Sequence, residues 1–394
     1  MATDEVPTFT QDDMRALDPG GSAQLRLLAR SGVAVGRSAE FGGPIVFDEQ
    51  LAERLLTEPK VAGAVAMPLL ESAGVTSGPL HELWSALMFG KDGEEHDRIR
   101  RVVAAHFTPR AIEKLRPVTE RIADALLDEV LASGVELELW NDYALPLAAK
   151  AQAALLGLPE SDLDRIVPWA LALVEAFVPT SEGVVTAATE AAAAFTAYLD
   201  EVFDGAPSEA GTVLETVRAD TTLDRIEQRA LVANLMFGGL DATAKTLTTT
   251  VHLLATNPDQ LAAAGGCPIE QVVAEGMRMA PPLAGVARVA LAPVDLGACR
   301  AQPGDLVLVT TVGLTGDPVR YPDPERFDVT RTPGKQLAFG AGPHYCLGAN
   351  LAKLVLHVGL ATLVRRTPTL RLDGEAVWGP GVFGGIVHLP LTTG

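Results

Sequence analysis

The sequence FGAGPHYCLG, residues 339–348, places one cysteine, Cys346, in a loop with three glycines and a proline. A long run with helical periodicity follows the loop directly. A thiol at the start of a helix lies near the positive end of the helix dipole, where backbone N–H groups can point at the sulfur, and this favours the thiolate. Glycines let the backbone approach a large flat partner or adopt positive φ. The loop therefore predicts a reactive sulfur that faces a bulky partner.

Three uses of such a sulfur fit this loop. It can be a nucleophile, a redox thiol, or an axial ligand to a haem iron, where thiolate pushes electron density that helps to cleave an O–O bond. An inert buried cysteine is the common alternative for a free thiol, but the glycine-rich loop argues against it. A nucleophile needs a base, and the nearest histidine, His344, has no Asn or Asp obviously placed to orient it. Hydrolase chemistry is therefore the weaker interpretation.

The composition excludes several classes of protein. The 394 residues are 48% hydrophobic, which is ample for a packed core. The formal net charge of -19 opposes binding to nucleic acid and to anionic lipid. No apolar run approaches the roughly 18–20 residues of a membrane helix, and the acidic N-terminus lacks the features of an export signal. The three cysteines lie far apart, without a disulfide or zinc pattern. The sequence thus predicts a cytosolic globular protein that binds neither nucleic acid nor membrane.

Helical patterns dominate the chain, and strand patterns occur in two short zones. The predicted elements are a β-hairpin at 32–47, helices from 48 to about 279 with breaks at 157–164 and 204–212, and a second strand zone at 286–311. The proline-dense stretch that follows cannot form a regular element. Neither a repeat nor a linker divides the sequence. We therefore predict one α-dominated domain, residues 1–394, with a minor β-sheet.

The cysteine loop resembles the haem-thiolate loop of the cytochrome P450 family, whose pattern is F-x-x-G-x-x-x-C-x-G. The residues that match are Phe339, Gly342, Cys346 and Gly348, and Ala352 extends the match. The resemblance implies the P450 fold, a triangular single domain in which haem b lies between an oxygen-binding helix and the helix after the cysteine. The cofactor-binding residues that it implies in the loop are Phe339, Gly340, His344, Cys346 and Gly348, with Cys346 as the iron ligand.

Two further segments resemble family segments that bind the haem propionates. The stretch EEHDRIRR resembles a helix of soluble bacterial members in which a His and an Arg four residues later bind propionates, here His96 and Arg100. The stretch PPLAGVARVA resembles the segment whose arginine, here Arg288, reaches a propionate. With His344 these side chains are candidate donors to the two carboxylates of the macrocycle, and charge balance favours that role.

The stretch EGMR is similar to the E-x-x-R motif of the family. Glu275 and Arg278 are spaced i,i+3, so they share one helix face and can pair. The stretch PERF supplies Arg326, which the resemblance makes a second cation for the same carboxylate. This structural triad would pin the proline-rich coil against the helix and so fix the cysteine loop.

The apolar stretch from 231 to 254 predicts a long helix that Gly238 and Gly239 interrupt, because each glycine costs about 1 kcal/mol in a helix interior. We expect a local widening of the helix there. In the family this glycine pair opens a groove where dioxygen fits, and the acid and the threonine that follow relay protons. Here the acid is Asp241, and the threonine position holds Ala242.

Alanine has no hydroxyl to organise the water that delivers protons. Thr243 comes next, but one helical step turns it about 100° away. Three explanations stay open: a substrate hydroxyl or ordered water supplies the relay, Thr243 rotates into place, or the reaction needs less protonation. The last explanation suits oxidative coupling, rearrangement, or peroxide as the oxidant. Asp241 also has Lys245 at i+4, a spacing that permits an ion pair.

The expected pocket walls are mostly Ala, Val, Leu and Gly, so a lipophilic substrate follows. By resemblance they come from about 61–88, 167–183, the oxygen helix, 283–287 and 382–387, and the aromatic residues that could stack on a substrate ring are Trp169, Phe177 and Phe383.

The resemblance also implies the partners of the reaction. It predicts a monooxygenase that uses O2 and receives electrons from a ferredoxin and its ferredoxin reductase. The alternatives are a P450 that couples or rearranges its substrate, and a non-catalytic haem sensor. The ferredoxin would dock on the cysteine side, where a local basic patch is predicted from Arg98, Arg101, Arg110 and Lys353.

Overall fold

The computed structural model describes residues 7–9, 32–38, 42–63, 66–133, 136–177, 181–205, 210–283, 285–334, 336–379 and 384–393. The predicted architecture, mainly helical with a minor sheet, is confirmed. The helices are α1 Glu49–Leu56, α2 Ala66–Ser72, α3 Pro79–Ser85, α4 Gly93–Val103, α5 Pro109–Glu113, α6 Arg116–Ser133, α7 Leu145–Leu156, α8 Leu163–Glu175, α9 Glu182–Asp204, α10 Val213–Ala219, α11 Arg225–Thr256, α12 Pro258–Ala264, α13 Ile269–Met279, α14 Thr311–Leu314 and α15 Ala349–Arg366. The strands are β1 Thr8–Phe9, β2 Val35–Ser38, β3 Pro44–Val46, β4 Val61–Ala62, β5 Leu137–Glu138, β6 Gly285–Ala290, β7 Val294–Asp295, β8 Arg300–Ala301, β9 Leu306–Thr310, β10 Arg371–Leu372, β11 Val377–Trp378, β12 Ile386–His388 and β13 Pro390–Thr392.

The longest helix, α11, runs through the centre of the larger core. Its start is fixed by a capping box, in which Asp224 accepts from the Glu227 N–H and the Glu227 side chain accepts from the Asp224 N–H. It ends at Thr256 with Asn257 as its C-cap, because Pro258 cannot continue the hydrogen-bond ladder. Helices α7, α8 and α15 pack against it, and most of its residues are buried. The helix after the cysteine loop is therefore in direct contact with the predicted oxygen helix.

The strands form one six-stranded sheet and three smaller ones. The large sheet has the order β1-β2-β3-β9-β6-β4, with β2 and β3 antiparallel and β3 and β9 parallel. The hairpin predicted at 32–47 is confirmed for its described residues. The smaller sheets are β10-β13-β5, β11-β12 and β7-β8. A second, smaller core lies between the large sheet and α1.

The predicted breaks also agree with the described residues. Helix α7 ends where Gly157 adopts a left-handed φ of 82°, a conformation that glycine reaches without strain. Residues 315–334 contain neither helix nor strand, as the proline-rich sequence predicts. In the part of the chain that the structure describes, none of the helices combines the length and the apolarity needed to cross a bilayer.

Candidate active site

The cysteine loop consists of two tight turns that end at a helix start. Gly340 and Gly342 adopt φ of 71° and 70°, so the loop uses glycine where other residues would be strained. The Cys346 N–H donates to the Phe339 carbonyl at 2.9 Å and closes the loop. Helix α15 then begins at Ala349, with Gly348 as its N-cap. The thiol therefore lies immediately before the positive end of α15, as predicted.

The electrostatics of Cys346 differ from the sequence expectation. Its side chain is accessible, yet protein atoms surround the sulfur closely enough to desolvate it. This desolvation raises the pKa of the Cys346 thiol, and the Gly348 N–H, Arg100 and Lys353 oppose the rise only in part. The sequence predicts that the helix start favours the thiolate; in the structure, desolvation acts in the opposite direction. Coordination to a metal ion would remove the proton.

Three of the four predicted propionate donors meet around the start of α4. The rings of His96 and His344 lie 4.5 Å apart, and His96 is buried. Arg100 donates to the Tyr345 carbonyl at 2.8 Å, which brings its guanidinium beside the cysteine loop. The structure thus brings His96, Arg100 and His344 together at one edge of the loop.

Asp92 links this cluster to the fourth donor. His344 Nε2 donates to Asp92 Oδ1 at 2.7 Å, and the Gly63 N–H donates to the same carboxylate at 3.0 Å. Burial lowers the pKa of His344, and Asp92 opposes that shift. Burial also lowers the pKa of Arg288, and Asp92 again opposes it, which places Arg288 within electrostatic reach. Sequence analysis missed Asp92.

The predicted triad forms with one different member. Glu275 and Arg278 make two hydrogen bonds, of 2.7 and 2.8 Å, and both side chains are buried. The prediction that Arg326 supplies the second cation is wrong. Among the described residues Arg331 reaches the carboxylate, at 3.4 Å, whereas the Arg326 side chain is exposed and its carbonyl accepts from Arg278. The chain direction after Phe327, which sequence spacing does not reveal, decides which arginine turns inward.

One stripe of α11 stays accessible among buried neighbours. Asn234 and Ala242 are partly exposed and Gly238 is exposed, whereas the residues between them are buried except Gly239. These three residues follow the i,i+4,i+8 spacing of one helix face. We call them the accessible stripe of α11. Gly238 leaves little side-chain bulk at the middle of this stripe, as the resemblance implies for the groove where dioxygen fits.

The predicted interruption of the helix at the glycine pair is wrong, because α11 is continuous. Gly239 has a different effect, since it admits a side chain from α7. A Cβ at Gly239 would lie 2.3 Å from Gln152 Oε1, and Gln152 Nε2 donates to the Leu235 carbonyl at 2.8 Å. The glycine therefore lets a polar side chain reach the helix backbone.

The acid of the predicted relay is paired. Lys245 Nζ lies 2.9 Å from Asp241 Oδ2, and both side chains are buried. Burial raises the pKa of Asp241, Lys245 opposes this, and Glu175 of α8 adds to it. Thr243 is buried and lies off the accessible stripe, so a rotation into place would require the helix to turn.

Asn234 is a second residue that sequence analysis missed. Its Oδ1 is buried and has no hydrogen-bond partner within the described residues. Its Nδ2 lies 3.7 Å from the point where a Gly238 Cβ would be, so the amide sits one turn from the middle of the accessible stripe. An amide in the apolar run LVANLMFGG was the signal that could have revealed it.

The aromatic candidates have different surroundings. Trp169 packs against Phe195 and Tyr198, so it joins α8 to α9. Phe177 contacts Phe237, the neighbour of Gly238, at a ring distance of 5.8 Å. It therefore remains a candidate for contact with a substrate, and Phe383 lies outside the described residues.

The residues present fit an iron porphyrin. One exposed cysteine lies at a helix start, a loop with glycines at two turns adjoins it, and cationic side chains converge beside it for two carboxylates. The accessible stripe, with Gly238 at its middle, lies on α11, and α11 packs against α15, the helix after the cysteine. This combination defines a haem-thiolate protein.

The comparisons with known proteins agree with this class. The family model described as Cytochrome P450 matches residues 269–369. Cytochrome P450 monooxygenase PikC of Streptomyces venezuelae is 33% identical over 79% of this chain and 78% of its own length. Mycinamicin IV hydroxylase/epoxidase of Micromonospora griseorubida is 33% identical over 77% of this chain and 79% of its own length.

Solved structures show the same likeness. The crystal structure of CalO2 has a TM-score of 0.89 at 27% identity and covers 98% of each chain. The structure of cytochrome P450mel 107F1, with biaryl coupling reactivity, has a TM-score of 0.83 at 25% identity over 98% of this chain and 100% of that one. The chain belongs to the cytochrome P450 family: it is a P450 monooxygenase whose cofactor is haem b.

Proposed function

We propose that this P450 inserts one oxygen atom from O2 into a lipophilic small molecule, in bacterial secondary metabolism or catabolism. The substrate and O2 would combine with two electrons and two protons to give the hydroxylated product and water. Haem iron ligated by a thiolate supplies the O2-activating chemistry. The observation that carries the proposal is the accessible stripe of α11, a face with Gly238 at its middle on the helix that packs against the helix after Cys346.

The residues around the loop would divide the binding work. Cys346 would ligate the iron, and the propionates would accept from His96, Arg100, Arg288 and His344. Asp241 would carry protons toward the accessible stripe, where Ala242 contributes no hydroxyl. These roles rest on the contacts above and on the family pattern.

The electron donor would be a ferredoxin that docks beside the cysteine loop. Arg101, Arg110 and Lys353 are exposed, and Lys353 lies 5.2 Å from the centre of the Phe339 ring. Arg98 contributes less than predicted, because its guanidinium pairs with Glu227. Charge reversal at Arg101, Arg110 and Lys353 should slow electron transfer from a surrogate ferredoxin and weaken its salt dependence. Unchanged rates and salt dependence would exclude this patch.

Oxidative coupling without oxygen insertion is the second candidate. Ala242 keeps this candidate open, because it departs from the usual threonine of the family. The substrate would lose two hydrogens, which with O2, two electrons and two protons give the coupled product and two waters. A structural neighbour with biaryl coupling reactivity shows that the same fold supports such chemistry.

Product mass under isotopically labelled O2 separates the two reactions. Compounds that shift the haem spin state would first be selected from a lipophilic panel and then turned over with NADPH and a surrogate ferredoxin and reductase. One labelled oxygen in the product supports the monooxygenase, and a product that lacks two hydrogens and carries no label supports coupling. A haem sensor would show no substrate-dependent NADPH consumption with any compound that binds.

A further inference from the structure

Lys245 and Asp241 form an ion pair that is almost completely removed from solvent. Their side chains are each 5% exposed, and the Nζ–Oδ2 distance is 2.9 Å. In the i,i+4 arrangement the lysine reaches back toward the helix N-terminus and covers the carboxylate. Removing one member of a buried pair leaves an uncompensated charge, so the two side chains act as one unit.

The hairpin formed by β11 and β12 is shaped around this lysine. A Cβ at Gly385 would lie 2.5 Å from Lys245 Cβ, and one at Gly379 would lie 3.1 Å from Lys245 Cε. Thr248 Oγ1 donates to the Ile386 carbonyl at 2.7 Å, one turn further along α11. The hairpin therefore fixes the stem of Lys245 against the helix.

Lys245 lies on α11 close to Ala242, the position at which the family usually has a threonine hydroxyl. It follows Ala242 by three residues and Asp241 by four, so it is a surface neighbour of both on α11. Asp241 in turn is an i,i+3 neighbour of Gly238, in the middle of the accessible stripe. With alanine at position 242, the hydrogen bond that this acid accepts from a side chain of the described residues comes from the ammonium of Lys245.

We propose that Lys245 is a positioning residue of the proton relay: its ammonium fixes the Asp241 carboxylate beside the accessible stripe, and the β11–β12 hairpin fixes the ammonium. The proposal rests on the role proposed for Asp241. The charged groups that face Asp241 in the described residues are Lys245 on its own helix and Glu175 on α8. Burial and Glu175 both raise the pKa of Asp241, and Lys245 opposes that rise.

The first test follows the Asp241 carboxyl itself in the haem-loaded protein. Methionine matches the length and flexibility of lysine, so K245M removes the charge with little change in packing. Infrared difference spectra over a pH series should show a buried protonated carboxyl in K245M that persists to higher pH than in the wild type. The band should vanish in D241N/K245M. A band with the same pH midpoint in K245M and wild type would overturn the proposal.

The second test measures how reduced oxygen divides between hydrogen peroxide and water, without substrate, using NADPH and a surrogate ferredoxin and reductase. K245M should change this ratio by about tenfold, the low end of the effect of partners that orient a reacting group. D241N should change the ratio of hydrogen peroxide to water in the same direction. The double variant D241N/K245M should change this ratio no further than D241N alone. K91M is the matched control, because Lys91 pairs with Glu95 at the same i,i+4 spacing in a site that is more exposed than that of Lys245.

The outcomes separate this proposal from the one on which it rests. If D241N leaves the ratio unchanged, Asp241 is not the relay. If D241N changes the ratio and K245M does not, or K245M still acts in the D241N background, Lys245 does not position Asp241. G385A supplies a variant that keeps both charges, because its Cβ would overlap Lys245 Cβ and push the β11–β12 hairpin away from the Lys245 stem. It should shift the ratio in the direction of K245M, and an unchanged ratio would count against the proposal even if K245M failed to fold.

Discussion

Gly340 and Gly342 share a left-handed backbone but not their surroundings. Their φ angles are 71° and 70°. A Cβ at Gly340 would come no closer than 3.8 Å to the His344 carbonyl, whereas one at Gly342 would lie 2.5 Å from the Leu56 carbonyl oxygen. A side chain at Gly340 would therefore add backbone strain alone, whereas one at Gly342 would add backbone strain and an overlap with Leu56.

G340A should lower the free energy of unfolding by about 1–2 kcal/mol, the cost of a left-handed non-glycine residue. G342A should cost more and should also reduce the haem bound per protein, because α1 and the loop must move apart. Denaturant unfolding and haem absorbance measure both effects. Equal losses in the two variants would show that the contact with Leu56 does not position the loop.

Restoring a hydroxyl at position 242 tests the proton supply directly. A242T should lower the hydrogen peroxide released per NADPH by about tenfold, below the 10²–10⁴ range of a full general acid. The reason is that a hydroxyl would organise water beside Asp241. With surrogate redox partners the ratio can be measured without substrate. An unchanged ratio would mean that another group of the protein, or an ordered water, already positions the water that delivers protons.

Helix α13 is tied to the coil at 315–334 through buried hydrogen bonds. Arg278 donates to the Pro324 carbonyl at 2.7 Å, and the Asp328 N–H donates to Glu275 at 3.0 Å. The pairing of Glu275 with Arg278 could be predicted from their i,i+3 spacing. The role of Arg331 could not, because a proline-rich coil has no periodicity from which to derive the direction of a side chain.

R331M should lower the free energy of unfolding by about 1–3 kcal/mol, because it leaves part of a buried carboxylate without a donor. R326M is the matched control, and it should stay within about 0.5 kcal/mol of the wild type, as exposed substitutions do. Urea unfolding of the haem-loaded protein measures both. A larger loss in R326M would restore the original assignment of the triad.

Substitution of Gly238 and of Gly239 in α11 by alanine should change the stability of the protein in opposite directions. G239A should destabilise the protein, since its Cβ would expel Gln152 from the Leu235 carbonyl. G238A meets only Asn234, at 3.7 Å, and should gain up to about 1 kcal/mol of helix propensity while narrowing the accessible stripe. Thermal unfolding of both variants gives the sign of each effect. Stabilisation by G239A would contradict the role given to Gln152.

Some features of the site depend on residues that are close in the sequence, and others join segments that are far apart. The cysteine loop, the two strand zones and the Asp241–Lys245 pair depend on short spacings, so the sequence predicts them. The links from Asp92 to His344, from Gln152 to α11 and from the β11–β12 hairpin to Lys245 join segments more than 80 residues apart. No spacing rule reaches across such distances, and these contacts required the structure.

Charge also acts at the scale of the whole molecule. The net charge of -19 would make most of the surface unattractive to the proposed ferredoxin if that partner is acidic, so the basic area beside the cysteine loop would set where it docks. Docking there would place the electron donor beside the cysteine loop. The accessible stripe lies on another element, α11, against which α15 packs.

The central claim is that the Cys346 sulfur ligates the haem iron. The reduced wild-type protein, exposed to carbon monoxide, should give the strongly red-shifted absorption band of a thiolate-ligated haem, because thiolate pushes electron density onto the iron. In C346A, measured under the same conditions, that band should be absent. A wild type that binds no haem, or a C346A variant that keeps the same band, would contradict the account.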